Sequence, residues 1–227
     1  MKTSNKILSI TGLLVIIATI YGAVNDNNTV DKVDIEKISA DSFSSVTTES
    51  FSNVIVTGNA IISINKKSNQ SVKYFSKNSE ITPEFKVNED TLFVNIKQDN
   101  NSNKVAFIKI TAPLLTLVDL NNIEKCEIFD FKQDSLYINC KKSKVKLNNI
   151  NCMYLNINTK DTSKIRIKNS IINNLNINSK NSSHTNFTDC NIKQLNGKIT
   201  GNSTVRSSKK LFTIAATIDS TSSLYKY

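Results

Sequence analysis

The chain has 227 residues and a formal charge of +10, with two prolines, five glycines and no tryptophan. This length allows one sizeable domain, and nothing in the sequence indicates a second globular core. Asparagine supplies about one residue in seven, which suits many short strands joined by turns. The positive charge comes without a compact basic block, an aromatic-rich RNA-binding motif or a helical reading element, so we exclude a nucleic-acid partner.

Residues 1–24 have the pattern of an export segment. Lys2 and Lys6 precede an apolar run from Ile7 to Val24, and a basic leader followed by a hydrophobic segment is typical of a signal peptide. The run is also close to the ~17 to 25 residues that span a bilayer. We therefore interpret residues 1–24 as a cleaved signal peptide or an uncleaved anchor helix, with membrane contact only through residues 7–24. Either interpretation predicts that the rest of the chain is exported.

Residues 25–42 are polar and acidic-leaning, and they begin with an Asn-Asp-Asn-Asn run. This composition predicts a flexible linker. The folded domain is then predicted to span residues 43–227.

From Phe51 onward, apolar and polar residues alternate in short sets, which is the period of half-buried β-strands. Turn residues such as Gly58 and Asn59 separate the sets. No segment keeps helical spacing over three turns. Pro113 removes a ladder donor, so we expect it at a bend between strands.

The stretch from Leu136 to Val205 repeats at a spacing of about twenty residues. Two apolar pairs carry the repeat: Leu136/Ile138, Leu155/Ile157, Leu175/Ile177 and Leu195/Gly197 for the first, and Val145/Leu147, Ile165/Ile167, Thr185/Phe187 and finally Val205 for the second. A fixed period of this length is the mark of a solenoid, in which each unit buries its apolar face by stacking on its neighbours. The sequence therefore predicts an all-β solenoid with about 20 residues per coil. We expect residues 51–64 to close one end of it, because an open coil offers unpaired strand edges.

Three segments stand in a recognisable order before these repeats: FSNVIVTG at residues 51–58, DTLFVNI at 90–96 and IKITAPL at 108–114. This order resembles the head domain family of auto-transporter adhesins, also called the GIN domain, which is common in exported proteins of Bacteroidetes. The resemblance covers residues 43–227. The turns differ from the Ser-Gly repeats of the family because they use Asn, Ser and Lys, which indicates a divergent member.

The resemblance implies a right-handed, single-stranded parallel β-helix outside the cytoplasm, in the periplasm, outer membrane or cell surface of a bacterium. It transfers no catalytic residues.

The repeat places the cysteines mostly at core positions, where Cys behaves as a small apolar residue. Cys152 and Cys190 lie two coils apart, or ~9.6 Å along the axis, which exceeds the ~7 Å limit for the Cα atoms of a disulfide. The spacing leaves Cys126 with Cys140 as the one pair that it does not exclude. We predict buried free thiols, with the redox state of that pair open.

The repeat also aligns basic side chains on the outer surface. Lys125, Lys144, Lys164 and His184 share one outward column, and Lys146, Arg166 and Arg206 share the next. Like charges on adjacent strands destabilise a sheet, so this ladder is either a solvated face or a surface that holds an anion. The candidate anion-binding stripe comprises Lys125, Lys144, Lys146, Lys164, Arg166 and Arg206. Its ligand would be an acidic glycan, a lipopolysaccharide or a membrane surface, bound in a salt-sensitive manner.

No motif supports catalysis or metal binding. The chain has one histidine and no CxxC, HxxxH or Gly-x-Ser-x-Gly spacing, and these are the spacings that metal and nucleophile sites use. The aspartates after the first strands are scattered rather than stacked on one wall: Asp119, Asp130, Asp134, Asp161, Asp189 and Asp219. We therefore expect no catalytic residue, no cofactor and no metal.

The leading hypothesis is an exported, non-enzymatic β-solenoid that acts as an adhesin-like binding protein of the cell envelope or surface. The alternative is a structural scaffold whose coils associate end to end. A third class, a polysaccharide lyase-like β-helix, is disfavoured because function must be argued from a site and no catalytic site is visible.

Overall fold

The computed structural model describes residues 38–39, 42–76, 81–97, 105–207 and 211–226. The predicted signal peptide or anchor helix at residues 1–24, and most of the predicted linker, lie outside these residues, so both stay predictions. No helix in the described part is long and apolar enough to cross a membrane. The described part is all β, as the alternating apolar pattern predicts.

Seven strands precede the repeats: β1 (Ser44–Val46), β2 (Asn53–Thr57), β3 (Ala60–Lys66), β4 (Ser71–Ser76), β5 (Glu84–Asn88), β6 (Thr91–Asn95) and β7 (Ala106–Ala112). The repeats form β8 (Leu117–Asn121), β9 (Lys125–Phe129), β10 (Lys132–Lys141), β11 (Lys144–Asn148), β12 (Asn151–Lys160), β13 (Lys164–Lys168), β14 (Ile171–Ser179), β15 (His184–Thr188), β16 (Asn191–Ile199), β17 (Thr204–Ser207), β18 (Leu211–Ile218) and β19 (Ser223–Lys226).

From β8 onward the chain winds into stacked coils of two strands each. One strand of every coil joins sheet A, in the order β1-β4-β7-β3-β9-β11-β13-β15-β17-β19, and the other joins sheet B, in the order β18-β16-β14-β12-β10-β8-β2-β6-β5. The coils stack as parallel strands, and partners stand 19 or 20 positions apart: Leu136 pairs with Leu155, and Leu155 pairs with Leu175. The prediction of a parallel β-solenoid with about 20 residues per coil is therefore confirmed.

The core between the two sheets is built of vertical columns. Leu136, Leu155, Leu175 and Leu195 are in register and fully buried, and burying one such side chain contributes roughly 1.5 to 3 kcal/mol. The neighbouring isoleucine column stops at Gly197, where φ is +119° and an added Cβ would lie 2.0 Å from the carbonyl oxygen of Ile177. Only glycine fits there, because the backbone itself takes the space of the missing side chain.

The N-terminal strands stack in an order that differs from their order in the sequence. The coil of β2 and β3 lies between the coil of β6 and β7 and the first repeat coil, with all of these strands parallel. At the outer side, β4 pairs antiparallel with β7 and β1 with β4, while β5 pairs antiparallel with β6. The expectation that residues 51–64 close this end is wrong, because they form an inner layer and β1, β4 and β5 cover the end.

One corner between the walls is marked by residues in the left-handed region. Asn149, Asn169 and Asp189 have φ values of 57°, 50° and 54°, a conformation that Asn and Asp tolerate better than other side chains. The Nδ2 group of Asn149 also donates to Oδ1 of Asp130 on the preceding coil at 2.7 Å. The polar residues at this corner therefore serve the turn.

All four cysteines are buried free thiols. Cys126 pairs with Val145 and Cys152 pairs with Ile172, so both occupy apolar columns. Burial raises the pKa of every thiol above its ordinary value, and it raises the pKa of Cys152 to about 12. The prediction of buried free thiols agrees with the structure, in which Cys126 and Cys140, the pair whose state the sequence left open, are also free.

Replacing Ile157 by alanine should lower the free energy of unfolding by about 2 to 5 kcal/mol, because it leaves a cavity in a fully buried column. The matched control is Ile171→Ala, because this isoleucine lies in the same sheet but is 52% exposed. This substitution should lower the free energy of unfolding by less than about 1 kcal/mol. Urea unfolding followed by circular dichroism measures both. Equal costs for the two variants would contradict the stacking of the core.

The four thiols should react very slowly with a soluble thiol reagent at pH 8 and all together after denaturation, because they are buried and their raised pKa values keep them protonated. Raising the pH to 9 should accelerate the native reaction little, because the thiols must first be exposed. The reaction is followed by absorbance of the released chromophore. Rapid labelling of the native protein would contradict the burial.

Candidate functional site

The register of sheet A brings the predicted basic residues together on its outer face. Lys144, Lys164 and His184 are direct partners on β11, β13 and β15. Lys146 and Arg166 are partners in the next column, which continues through Asn186 to Arg206. The inward positions between the two columns are buried: Val145, Ile165, Thr185 and Val205. The basic residues therefore face outward as two parallel columns.

These columns border a groove of about 500 Å³ on the outer face of sheet A. All six residues of the candidate stripe line it, together with Glu124, His184, Asn186 and Thr204. Strands of successive coils are ~4.8 Å apart, so cations on adjacent coils are near neighbours. The groove is open to solvent, and Val145 and Ile165 line it between the cations. An open groove suits part of an extended anion rather than a buried small molecule.

Two glutamates neutralise the N-terminal half of the stripe. Nζ of Lys144 lies 2.7 Å from Oε1 of Glu124. Oε1 of Glu127 lies 3.0 Å from Nζ of Lys146 and 3.3 Å from Nζ of Lys125. The Lys125, Lys144 and Lys146 side chains are thus held in ion pairs within the protein.

The sequence interpretation missed these two acidic partners, although a signal for one of them was present. Glu127 is two positions after Lys125, and residues i and i+2 of a strand point to the same face. Glu127 therefore had to lie on the basic face. Glu124 precedes β9 in a turn, and nothing in the strand period shows where such a side chain points.

The C-terminal half of the stripe is free of carboxylates. In the described ranges, neither Lys164 nor Arg166 forms an ion pair. The guanidinium carbon of Arg206 lies 5.9 Å from the ring centroid of Tyr225, within the range of a cation–π contact. Nδ1 of His184 is 3.0 Å from the carbonyl oxygen of Ser182. The stripe is therefore two different surfaces, and among the described residues this half presents cations without carboxylate partners.

The chemistry available at this half is electrostatic recognition. A guanidinium offers a planar pair of donors for a carboxylate or a sulfate, whereas an ammonium acts as a point charge. Within the described part of the chain, no group of three or more His, Cys, Asp or Glu side chains could hold a metal ion. Asp130 and Asp189 lie at the turn corner with Asn149 and Asn169 and have left-handed φ values. The residues brought together here are cations, whose chemistry is the recognition of negative charge.

A parallel β-solenoid whose outer faces carry aligned polar columns defines a class of repeat proteins whose coils stack on one another. Within that class, residues 50–227 match the family model described as "Putative auto-transporter adhesin, head GIN domain". Since the match covers most of the chain, the protein belongs to this family, and the resemblance noted in the sequence is confirmed. No curated protein matches the chain.

Two solved structures share the fold. One is a putative adhesin from Bacteroides fragilis, with a TM-score of 0.62 and 14% identity over 82% of this chain and 96% of that chain. The other is a putative adhesin from Parabacteroides distasonis, with a TM-score of 0.60 and 13% identity over 82% of this chain and 96% of that chain. At this identity, both comparisons establish the architecture alone.

Proposed function

We propose that this protein is an exported, non-enzymatic binding protein of the bacterial cell envelope or surface, and that it binds an acidic glycan through the groove on sheet A. Membership of the adhesin head family supports a surface-binding role. The observation that carries the ligand class is the pair of adjacent cations, Lys164 and Arg166, which no carboxylate neutralises in the described structure. These two residues would hold carboxylate or sulfate groups of the glycan.

The energetics of the sheet support this assignment. Like charges that face each other across adjacent strands destabilise a sheet by a few tenths of a kcal/mol to about 1 kcal/mol. Glu124 and Glu127 offset this cost for the lysines of β9 and β11, whereas Lys164 and Arg166 on β13 face Lys144 and Lys146 with no carboxylate partner of their own in the described residues. A bound polyanion would supply the missing counter-charges, so binding and relief of repulsion would act in the same direction.

The absence of enzymatic activity is part of the proposal. Grouped carboxylates are what a β-helix needs for acid–base cleavage of a polysaccharide. The described aspartates at the corner, such as Asp130, are engaged in turn hydrogen bonds. The family description also names an adhesin rather than an enzyme.

Replacing both Lys164 and Arg166 by glutamate should reduce retention of the protein on immobilised alginate by about tenfold or more, since each reversal turns a contact with the polyanion into repulsion. The matched control is Lys67→Glu with Lys86→Glu, which makes the same change of net charge at two exposed lysines away from the groove. Retention of the wild type should fall as salt rises. Equal loss in the two double variants, or no loss in either, would contradict a specific site.

A second candidate function is self-association, and β18 favours it. This strand of eight residues contains no charged side chain, pairs with β16 on one side in the described part, and exposes Ile214 and Ile218 by 43% and 42%. Edge strands that avoid pairing are short or carry charges. At the opposite edges, β1 has three residues and β5 contains Glu84 and Lys86.

Sedimentation velocity tests whether the protein self-associates. If β18 pairs with a second copy, the sedimentation coefficient should rise with protein concentration, and Ala215→Lys should keep the protein monomeric by placing a charge on the strand. The control is Asn95→Lys on β6, a similar charge on an exposed residue of the same sheet, next to the other end. A single monomeric species at every concentration would rule out this function.

A further inference from the structure

The outer face of sheet B carries a second polar pattern that differs from the stripe on sheet A. The strands repeat LYINCK at residues 136–141, LNINTK at 155–160 and LNINSK at 175–180, and the next coil begins LNGK at 195–198. The Leu residues point inward and are buried, while the alternate residues point outward. The repeat therefore places a similar outward series on successive coils, with amides in the middle and a lysine at the end.

Strand register turns this series into columns. Tyr137, Asn156, Asn176 and Asn196 form one column, and Asn139, Asn158, Asn178 and Lys198 form the next. Lys141 pairs with Lys160, and Lys180 continues that line through the hydrogen bond from its backbone N–H to the carbonyl of Thr159. Across the face, the column of Tyr137 therefore forms one side, the amide column of Asn139 forms the centre and the column of Lys141 forms the other side.

The amides are tied to one another along the solenoid axis. Nδ2 of Asn158 donates to Oδ1 of Asn139 at 2.9 Å, and Nδ2 of Asn178 donates to Oδ1 of Asn158 at 3.0 Å. Beside them, Nδ2 of Asn176 donates to Oδ1 of Asn156 at 3.2 Å. An amide has two N–H donors and two acceptor lone pairs, so Asn158 retains one of each for a ligand. Because the side chains are already ordered, they lose little conformational entropy on binding.

The lysines at the edge of this face have no internal counter-charge. In the described residues, Lys141, Lys160, Lys180 and Lys198 form no ion pair, and all four are exposed. They line a groove of about 550 Å³ with the central amides and with Asp119, whose Oδ2 accepts a hydrogen bond from Nδ2 of Asn139 at 3.3 Å. This edge therefore holds more unneutralised lysines than either half of the stripe on sheet A.

Buried serines hold the lysine backbone in place from inside the coil. The hydroxyls of Ser143, Ser163 and Ser183 donate to the carbonyl oxygens of Lys141, Lys160 and Lys180 at 2.7, 2.6 and 2.7 Å, respectively. All three serines are buried. The Cα positions of the lysines are thus fixed, whereas their ammonium groups are free to adjust.

Two tyrosines border the same face. Tyr137 is 45% exposed and Tyr154 is 51% exposed. Tyr137 pairs with Asn156, which is two positions from Tyr154 on β12, so the two rings are diagonal neighbours on adjacent strands. Exposed aromatic rings combine a flat apolar surface with a hydroxyl group, which suits contact with the apolar face of a sugar ring.

We propose that the outer face of sheet B is a second binding surface, for an extended acidic polysaccharide that lies along the solenoid axis. The lysines bind its carboxylate or sulfate groups, the amides exchange hydrogen bonds with its hydroxyl groups, and the tyrosines contact its rings. The amides and the lysines repeat at the strand spacing, which fits a linear polymer rather than a single small molecule. The ligand class rests on the proposed function, but the residues are separate from those of sheet A.

The test measures how strongly variants of the sheet B face bind alginate. Replacing Lys141, Lys160 and Lys180 by glutamine should weaken binding to soluble alginate about tenfold to a hundredfold, from the loss of three exposed charge contacts. The matched control replaces Lys67, Lys73 and Lys86 by glutamine, with the same charge change at exposed sites outside the repeat coils. Isothermal titration calorimetry gives the affinities, and neutral dextran should bind much more weakly than alginate to the wild type.

Two further variants separate this surface from a general basic patch. Tyr137→Ala with Tyr154→Ala should weaken alginate binding severalfold while leaving its salt dependence unchanged, because no charge is removed. Lys160→Gln alone should raise the melting temperature of the unliganded protein at low salt by about 1 to 3 °C, since it removes repulsion from both neighbouring coils. A residue with a merely structural role would lower that temperature.

Each outcome is decisive. If the triple glutamine variant binds alginate as its control does, or if the tyrosine variant binds alginate as tightly as the wild type, the second surface is wrong. If the Lys164 and Arg166 reversals have no effect while the triple glutamine variant loses binding, sheet B is the binding face and the groove on sheet A is not. The opposite result retains sheet A alone.

Discussion

In-register stacking of parallel coils is the constraint on which the rest of this structure depends. Each Leu of the column through Leu155 and Leu175 is fully buried because the coils above and below cover it. The same register supplies the backbone hydrogen bonds between coils and leaves no freedom to slide, since a slip by one residue would turn the apolar set outward. A side chain's outward position on one coil therefore also determines its neighbours on the next.

This constraint has an electrostatic consequence. Repetition in sequence becomes repetition in space, so a lysine that recurs every twenty residues becomes a column of like charges. These columns are of two kinds. Glu124 and Glu127 form ion pairs with the lysines in one part of sheet A, whereas the lysines of sheet B form no ion pair among the described residues. Unneutralised columns on a rigid scaffold are suited to binding a polyanion, and the family to which the chain belongs is described as an adhesin head.

The period of the repeat was sufficient to predict the solenoid, the inward columns and the buried thiols, because all three follow from residues twenty apart being neighbours. The same period aligned Lys144 with Lys164 and Lys146 with Arg166. It did not reveal that Glu127 approaches both Lys125 and Lys146, since ion pairing depends on side-chain rotamers across two coils. The amide and lysine series on sheet B was equally visible as a repeat, but its hydrogen-bonded order required coordinates.

The sequence alone determined the all-β class, the coil length and the identity of the core columns, because apolar periodicity is a local property of the chain. The tertiary structure alone decided how the N-terminal strands are arranged. There the coil of β2 and β3 lies between the coil of β6 and β7 and the repeats, and antiparallel strands cover the end. No period links those segments, so their order depends on which edges and apolar faces fit together once the chain has folded.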